Sequence, residues 1–305
     1  MIISCGEALI DMLPRRIEGE GDGFLPVSGG AIFNTAIALG RLGETAGFIS
    51  SVSTDMFGEQ LIEALHSSKV STDLCVRSDQ PTTLAFVKLT NGQAQYSFFD
   101  ENSAGRNLRV DQVQPIPAEV AAMQFGAISL IPEPCGTAYE KLMAGNQDKV
   151  LCLDPNIRPS FINDPDKHRA RIKRMAAMAD VIKVSDEDLD WIAAGESAEA
   201  VMTEWLEGAT RIVLMTRGGD GVDAFMKSGK IRQAANKVEV VDTIGAGDTF
   251  NAGFLAGLRR NGLLSKSALA EASPDQLAPV LALAAKVAAH TVSKPGADPP
   301  WQHEL

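Results

Sequence analysis

The chain has 305 residues, of which 45% are hydrophobic and 22% are charged, and its formal net charge is −11. A chain of this length and composition can bury a large core and suits one large α/β domain with an accessory element. The negative charge argues against nucleic acid and against an anionic membrane as partners.

Signals for export or membrane insertion are not found in the sequence. No run of about 18 apolar residues is present, and the first residues, MIISCGEALIDML, contain no basic region or cleavage site of a signal peptide. The four cysteines and four histidines show no CxxC or Cys/His ligand spacing. We therefore expect a cytoplasmic protein with reduced thiols.

The amino-terminal region predicts short strands around one helix. Residues 2–13 alternate apolar and polar side chains as a strand does, and residues 24–28 form a second extended piece. Gly29-Gly30 then leads into a helix that ends at Gly43.

The next region predicts a strand, a helix and a hairpin. Residues 48–52 read as the strand, and residues 53–67 as a loop that enters the helix. Residues 82–99 predict two alternating strands joined through Asn91-Gly92, a dipeptide typical of tight hairpin turns.

From residue 124 onward, strands alternate with helices. Such an alternation predicts right-handed crossovers and a mostly parallel sheet, whose ligands bind at the carboxyl ends of its strands. The predicted strands are residues 125–131, 150–154, 179–184 and 211–216, and the predicted helices extend to about residue 145 and over residues 165–178, 186–206 and 274–292.

The stretch KVEVVDTIGAGDTFNAGFLAGLRR, residues 237–260, predicts a βα unit that carries a candidate reactive site at its turn. We expect a strand at residues 237–241, a turn on Gly245-Ala246-Gly247, and a helix that opens at this turn. Bare N–H groups at a helix start attract an anion, and Asp248 places a carboxylate beside them. Alternatively, Asp248 merely offsets the helix dipole.

Within this stretch, DTIGAGDTFNAGFLAGL resembles the carboxyl-terminal signature of the ribokinase-like (PfkB) carbohydrate kinases, and Gly29-Gly30 with Asn34 is similar to their amino-terminal motif. The resemblance extends from GEALID near the start to PGA near the end. It implies one ribokinase-like α/β domain over residues 1–305, with a central mostly parallel sheet flanked by helices. It also implies a small β-sheet lid formed by residues 9–28 and 82–104.

The resemblance implies a sugar site and a catalytic base. Asp248 would take the proton of a primary hydroxyl while the N–H groups of Gly245, Ala246 and Gly247 stabilise the transferring phosphoryl group. The implied substrate-binding residues are Asp11, Gly29, Gly30, Asn34, Phe98 and Arg158. Two of these positions have ordinary alternatives, because Asn34 could be an exposed polar residue and DPNIRP, residues 154–159, a plain turn before proline.

The same resemblance implies ATP and Mg²⁺ as cofactors. ATP would lie against Ser185 and the TRGGDG turn, at Thr216, Gly218 and Gly221. Asn156 and Asp188 would hold Mg²⁺, the latter through water, and the carbonyl groups of Asp242 and Ile244 could bind K⁺. A glycine-rich turn and an acidic helix start are also common without any ligand.

GEALIDMLP, DPNIRP and PTTLAF look most like the fructokinases of this family, so fructose is the first expectation. A 2-keto-3-deoxygluconate kinase, or a kinase for ribose, tagatose or a nucleoside, is the alternative. Asp100 stands where the keto-deoxy acid kinases have an arginine, and we expect its charge to repel an acidic substrate. A silent sugar-binding regulator would use the same pocket, and the lid could pair into a homodimer.

Overall fold

The computed structural model describes residues 1–19, 21–90 and 93–305. Its strands are β1 (Ile2–Cys5), β2 (Leu9–Ile17), β3 (Gly21–Gly29), β4 (Ala46–Ile49), β5 (Ser51–Ser53), β6 (Val70–Ser71), β7 (Val76–Ser78), β8 (Leu84–Thr90), β9 (Gln93–Phe99), β10 (Ala122–Gly126), β11 (Val150–Asp154), β12 (Val181–Ser185), β13 (Ile212–Thr216), β14 (Val222–Met226) and β15 (Gly229–Gln233). Its helices are α1 (Ala31–Arg41), α2 (Met56–Ser67), α3 (Cys135–Ala144), α4 (Pro165–Ala176), α5 (Asp186–Ala193), α6 (Ala198–Glu207), α7 (Ala246–Arg260), α8 (Lys266–Ala270) and α9 (Pro274–Val292). Among these helices, none combines the length and apolar character needed to cross a membrane.

The large sheet is mostly parallel. In the described residues it has nine strands in the order β15-β14-β13-β12-β11-β10-β1-β4-β6. All neighbours from β13 to β6 run parallel, whereas β14 and β15 pair antiparallel at one edge. The predicted mostly parallel sheet flanked by helices is confirmed.

Both faces of the parallel part of this sheet are covered, which explains why strands β1, β4, β10, β11, β12 and β13 are mostly apolar and buried. On β1, Ile2 packs into a core that includes Phe33 of α1 and Phe254 of α7. The next residue, Ile3, packs into the opposite core with Tyr139 of α3. Successive side chains of a strand point to opposite faces, so both cores are built from the same strands.

The strand order changes direction at β1. The chain runs from β1 outward to β4 and β6, and it then returns to place β10 on the other side of β1. A crevice forms outside the carboxyl ends of strands at such a switch point. Glu7 and Ala127 follow these two strands closely and therefore lie at the crevice.

A second, smaller sheet contains β3-β2-β8-β9, and this group of strands is called the small sheet below. Its register pairs Asp11 with Ala85 and Ala85 with Phe98, so Asp11 and Phe98 lie on one face. The antiparallel pairing of β8 with β9 confirms the predicted hairpin strands, while the predicted turn at Asn91-Gly92 lies outside the described residues. β5 and β7 form a separate parallel pair.

Four predicted strands differ from the structure. The strand predicted over residues 2–13 is divided into β1 and β2, and the strand predicted over residues 48–52 into β4 and β5, and in each case the two parts belong to different sheets. Residues 237–241 belong to no strand, because Val241 N–H donates to the carbonyl of Val292 at the end of α9, at 2.8 Å, rather than to a sheet edge. The strand predicted at residues 125–131 ends at Gly126. Ala127 takes a φ of 57° and starts a short 3₁₀ turn instead.

Candidate active site

A cavity of about 280 Å³ lies between the small sheet and the switch point of the large sheet. Its wall brings together predicted site residues from widely separated parts of the chain. These are Asp11, Gly30, Asn34, Phe98, Asn156, Arg158, Ile244, Gly245, Ala246, Gly247 and Asp248. The sequence patterns that predicted a binding site therefore converge on one volume.

The start of α7 requires glycine at residue 245. Gly245 precedes the helix with φ 77° and ψ 0°, a left-handed conformation that other residues rarely adopt. A Cβ at this position would also lie 2.7 Å from the Cβ of Ala297. The missing side chain of Gly245 thus allows the start of α7 to pack closely against Ala297, near the carboxyl terminus.

The first N–H groups of α7 are open to a ligand. Thr249 N–H donates to the carbonyl of Gly245 at 2.9 Å, and Ala246 N–H makes a longer bond of 3.3 Å to Thr243. Within the described residues, the N–H groups of Gly245, Gly247 and Asp248 have no acceptor. Unpaired N–H groups at the positive end of a helix form an anion site. The predicted anion site comprised the N–H groups of Gly245, Ala246 and Gly247. In the structure the N–H of Ala246 already makes a long hydrogen bond, and the N–H of Asp248 is available in addition.

Asp248 is buried, with 8% of its surface exposed, and its carboxylate is held in place. Asn34 donates from Nδ2 to Oδ2 of Asp248 at 2.9 Å, and Thr35 donates to its backbone carbonyl at 3.0 Å. Burial raises the pKa of Asp248 to about 6, against the opposing effects of the Asn34 hydrogen bond and the Lys183 charge. A carboxylate in this pKa range is suited to accept a proton near neutral pH.

Glu7 is a site residue to which sequence analysis assigned no role. Its Oε1 accepts the N–H groups of Ala31, at 2.8 Å, and Ile32, at 3.4 Å, at the start of α1. Its Oε2 is buried without a partner among the described residues. Burial raises the pKa of Glu7 to about 7. The sequence feature that could have indicated this role was a carboxyl group shortly after the apolar residues of the first strand.

The paired glycines before α1 make room for the carboxylate of Asp11 and for the backbone of Glu7. A Cβ on Gly29 would lie 2.3 Å from Oδ2 of Asp11, and one on Gly30 would lie 3.0 Å from the carbonyl of Glu7. Gly30 also has a φ of 110°. Burial raises the pKa of Asp11 to about 6. Gly30 lines the cavity, whereas Gly29 does not. The missing side chain of Gly29 leaves space for the carboxylate of Asp11.

Lys183 is a second site residue without a predicted role. It lies on β12, lines the cavity, and places Nζ 3.0 Å from Oδ2 of Asp154. Asn251 of α7 donates to the same oxygen at 2.7 Å. A lysine within the apolar strand VIKVS was the signal, since a charge there must be buried with a partner.

The predicted nucleotide and metal residues Ser185, Asp188, Thr216, Gly218 and Gly221 lie beyond the cavity wall, at the last residues of β12 and β13 or shortly after them. Ser185 Oγ accepts the N–H of Asp188 at 3.0 Å, and Asp188 Oδ1 accepts the N–H of Ile157 at 3.1 Å, which ties this segment to the DPNIRP loop. Thr216 donates to the carbonyl of Val184 at 3.4 Å. These side chains support the carboxyl edge of the sheet next to the cavity.

Backbone packing accounts for one glycine of the TRGGDG turn. A Cβ on Gly221 would lie 2.1 Å from the carbonyl oxygen of Gln233, and its φ is 97°. Gly218 has a φ of 50° with open space around its Cβ position. The turn is thus bare of side chains at Gly218. Asp242 lies apart, where its carboxylate accepts the N–H groups of Ile244 at 3.0 Å and Gly296 at 2.9 Å.

The expected role of Asp100 is wrong. Its side chain is buried away from the cavity wall, where it accepts hydrogen bonds of 2.9 Å from Thr83 and Ser103 and lies 3.4 Å from Arg106. β9 ends at Phe99, and the chain turns before Asp100 can follow the face on which Phe98 meets the cavity. Asp100 therefore gives no argument against an acidic substrate.

Comparison with known proteins identifies the class. The family model described as pfkB family carbohydrate kinase matches residues 1–304. A fructokinase from Rhizobium leguminosarum bv. trifolii is 48% identical over 278 residues, which cover 91% of this chain and 85% of that protein. Probable fructokinase-2 from Arabidopsis thaliana is 33% identical, over 98% of this chain and 92% of its own.

A solved structure agrees with these matches. The crystal structure of a fructokinase with bound ATP from Xylella fastidiosa superposes with a TM-score of 0.90 at 29% identity, covering 97% of this chain and 93% of that one. The protein is therefore a carbohydrate kinase, an enzyme that transfers phosphate to a sugar hydroxyl. It belongs to the pfkB family, and its fold is ribokinase-like, as the sequence motifs predicted.

Proposed function

We propose that this enzyme phosphorylates the primary hydroxyl of fructose with ATP, and that Asp248 is its general base. The observation that carries the proposal is the buried carboxylate of Asp248 beside the unpaired N–H groups of Gly245 and Gly247. The two curated relatives described above, both named as fructokinases, support fructose as the acceptor.

In the proposed reaction, the sugar hydroxyl gives its proton to Asp248 as its oxygen attacks the γ-phosphorus of ATP. The N–H groups of Gly245, Gly247 and Asp248 and the dipole of α7 stabilise the charge on the transferring group. Ala246 contributes more weakly, because its N–H already donates to Thr243. Positioning and electrostatics supply most of the acceleration in phosphoryl transfer.

The cavity favours a neutral sugar. Three carboxyl groups, those of Glu7, Asp11 and Asp248, line it and can accept hydrogen bonds from hydroxyl groups. We assign Gly30, Asn34 and Phe98 to the same sugar site and Gly29 to its support. Arg158 also lines the cavity, and its guanidinium group could bind a carboxylate, so a 2-keto-3-deoxygluconate kinase is the second candidate.

The nucleotide is assigned to the carboxyl edge beyond the cavity, along Ser185, Thr216, Gly218 and Gly221. Asn156 and Asp188 would hold Mg²⁺, the latter through water. Burial together with the neighbouring Asp154 charge raises the pKa of Asp188, an effect that a cation would offset. No group of three or more His, Cys, Asp and Glu side chains that could hold a metal ion occurs in the described part of the chain. Mg²⁺ keeps several waters, so it needs few protein ligands, and it would neutralise phosphate charge. The carbonyls of Asp242 and Ile244 are the K⁺ candidates.

We also assign residues 9–28 and 82–104 as a lid on a single domain over residues 1–305. The face of the small sheet opposite Asp11 carries Phe24, Phe86 and Phe99, whose rings pack edge to face with centroid distances of 5.0 and 5.3 Å. Phe24 is 50% exposed and Phe99 is 62% exposed. An exposed apolar face of this kind suits a second copy of the chain as its partner.

A coupled assay of ADP release tests the proposal, with fructose, ribose, tagatose, 2-keto-3-deoxygluconate and adenosine, with and without Mg²⁺. We expect the highest kcat/KM for fructose and no turnover without a divalent metal. A higher kcat/KM for the keto-deoxy acid would contradict fructose and favour the second candidate. Sugar binding by calorimetry without any turnover would instead indicate a silent regulator.

A further inference from the structure

Lys183 is a buried cation on the wall of the catalytic cavity. Only 7% of its surface is exposed, and a buried charge is stable only when it is paired. Burial by itself would lower the pKa of Lys183, but the charge and hydrogen bond of Asp154, with contributions from Asp248 and Asp188, raise it above the ordinary value. Lys183 therefore stays protonated at neutral pH.

The position of this cation is set from two directions. Asp154, at the end of β11, accepts from Lys183 and from Asn251 through the same Oδ2, so one carboxylate ties the lysine to α7. A Cβ placed on Gly247 would lie 3.0 Å from Nζ. The ammonium group thus lies against the second residue of α7, next to the unpaired N–H groups.

An ammonium group has three N–H donors. Asp154 takes one of them, and no other acceptor for Nζ is found within the described residues. Two donors therefore remain at the cavity wall. A positive charge at this position would offset the repulsion of an anionic phosphate, since the formal net charge of the protein is −11 and the cavity contains several carboxyl groups. A lysine in a GxxxxGK[ST] loop, the common solution in other phosphate-binding folds, is absent from this sequence.

We propose that Lys183 contacts the phosphoryl group during its transfer and completes the anion site at the start of α7. This inference rests on the proposed function, because it assigns Lys183 to the same reaction. Asp154 is then a positioning residue, which holds the ammonium group in place and keeps it charged. The proposal also explains why residue 247 is glycine, since a side chain there would displace Nζ.

The test compares Lys183→Met with Lys266→Met. Lys266 is a matched control because its Nζ lies 2.6 Å from Oδ2 of the buried Asp180, outside the cavity. Two quantities are measured: steady-state kcat and KM with sugar and ATP, and the affinity of inorganic phosphate for the unliganded protein by calorimetry. Circular dichroism and thermal melting verify that each variant folds.

For Lys183→Met we expect kcat to fall about 10²–10³-fold, as for the loss of one donor from an oxyanion site. The KM for sugar should change only a few-fold, and phosphate affinity should fall at least about tenfold. Lys266→Met should keep kcat and phosphate affinity within about threefold of wild type. Equal behaviour of the two variants, or no measurable phosphate binding by the wild-type protein, contradicts the proposal.

Lys183→Arg keeps the experiment decisive if Lys183→Met does not fold. The charge is retained but the bulkier group must shift from Gly247, so phosphate affinity should stay within about tenfold while kcat falls. An arginine variant with wild-type kcat contradicts a specific contact. If the wild-type enzyme phosphorylates no sugar tested, the proposed function fails, whereas the phosphate titrations still decide whether Lys183 binds the anion.

Discussion

Asn34 donates from Nδ2 to Oδ2 of Asp248 at 2.9 Å, and this bond joins α1 to the first turn of α7. The two residues come from the two motifs that resemble the family signatures. Thr35 reinforces the junction through the backbone carbonyl of Asp248. The residue assigned to the sugar therefore also orients the proposed base, so sugar recognition and proton transfer share one hydrogen bond.

Replacing Asp248 with asparagine tests the proposed base. Asp248→Asn should lower kcat by at least about 10²–10⁴-fold, because an amide cannot accept the hydroxyl proton. Sugar binding measured by calorimetry should survive, since the size of the side chain is kept. Asp166→Asn, at a side chain that is 99% exposed, is the matched control. Wild-type turnover by Asp248→Asn would refute the assignment.

Removing the Asn34 amide should shift the pH dependence of catalysis. The hydrogen bond from Asn34 stabilises the charged form and thus lowers the pKa of Asp248, which burial has raised to about 6. Without this bond the pKa of Asp248 rises, so the carboxyl group stays protonated up to a higher pH. The acidic limb of the kcat/KM profile of Asn34→Ala should therefore move upward by about one pH unit, the order of a charged hydrogen bond.

Thr35→Val is the control for this shift. It removes a neighbouring bond to the backbone of Asp248 and leaves the carboxylate contact intact. Its pH profile should match that of the wild-type enzyme even if its melting temperature falls. An unchanged profile for Asn34→Ala would contradict Asp248 as the titrating group.

Glu7 should make the protein less stable as the pH rises. Burial raises its pKa from 4.5 to about 7, so between these values the native state binds the proton more tightly than the unfolded chain. The free energy of unfolding therefore falls with increasing pH across this interval. Glu7→Gln cannot ionise, so at pH 8 it should be more stable than wild type by up to about 3 kcal/mol.

Urea unfolding at pH 8 and pH 4.5 measures this difference, which should be largest at pH 8 and small at pH 4.5. Glu101→Gln, at an exposed position, should show no such pH-dependent gain. A stability difference for Glu7→Gln that does not change with pH would argue against a buried ionising carboxyl group.

Gly29→Ala should weaken sugar binding without removing the base. The added Cβ would lie 2.3 Å from Oδ2 of Asp11, so the carboxylate must move out of its present position. Loss of a hydrogen bond to a charged group costs about 1.5–3 kcal/mol, which corresponds to a rise in sugar KM of about 10–100-fold. Gly145→Ala, where the Cβ makes only ordinary contacts, should keep the wild-type KM. A normal KM for Gly29→Ala would remove Asp11 from the sugar site.

Phe99→Asp should separate the proposed dimer into monomers. A charge on the exposed aromatic face of the small sheet would have to be desolvated on pairing. Sedimentation velocity measures the change, and Met56→Asp, which alters an exposed apolar residue outside this sheet, should leave the mass unchanged. A wild-type protein that is monomeric at all concentrations would show that another partner, or none, covers this face.

Much of the fold follows from local patterns. The helices at residues 165–176 and 274–292 carry their own start signals, and in both cases a capping side chain and an early proline are present in the structure. The glycine turn before Asp248 could also be predicted from a local signal, since only glycine adopts the left-handed conformation of residue 245 without strain. By contrast, the valines at residues 237–241 favour a strand locally, yet they form none.

Residue types and their neighbours within a few positions were enough to predict the family, the proposed anion-binding turn and the carboxylate beside it. They did not show that Glu7 and Lys183 line the cavity or that Asp100 lies outside it, which became visible in the three-dimensional structure. Their places depend on sheet order and on where each strand ends. These properties arise from packing between distant segments, which the periodicity of a single segment does not encode.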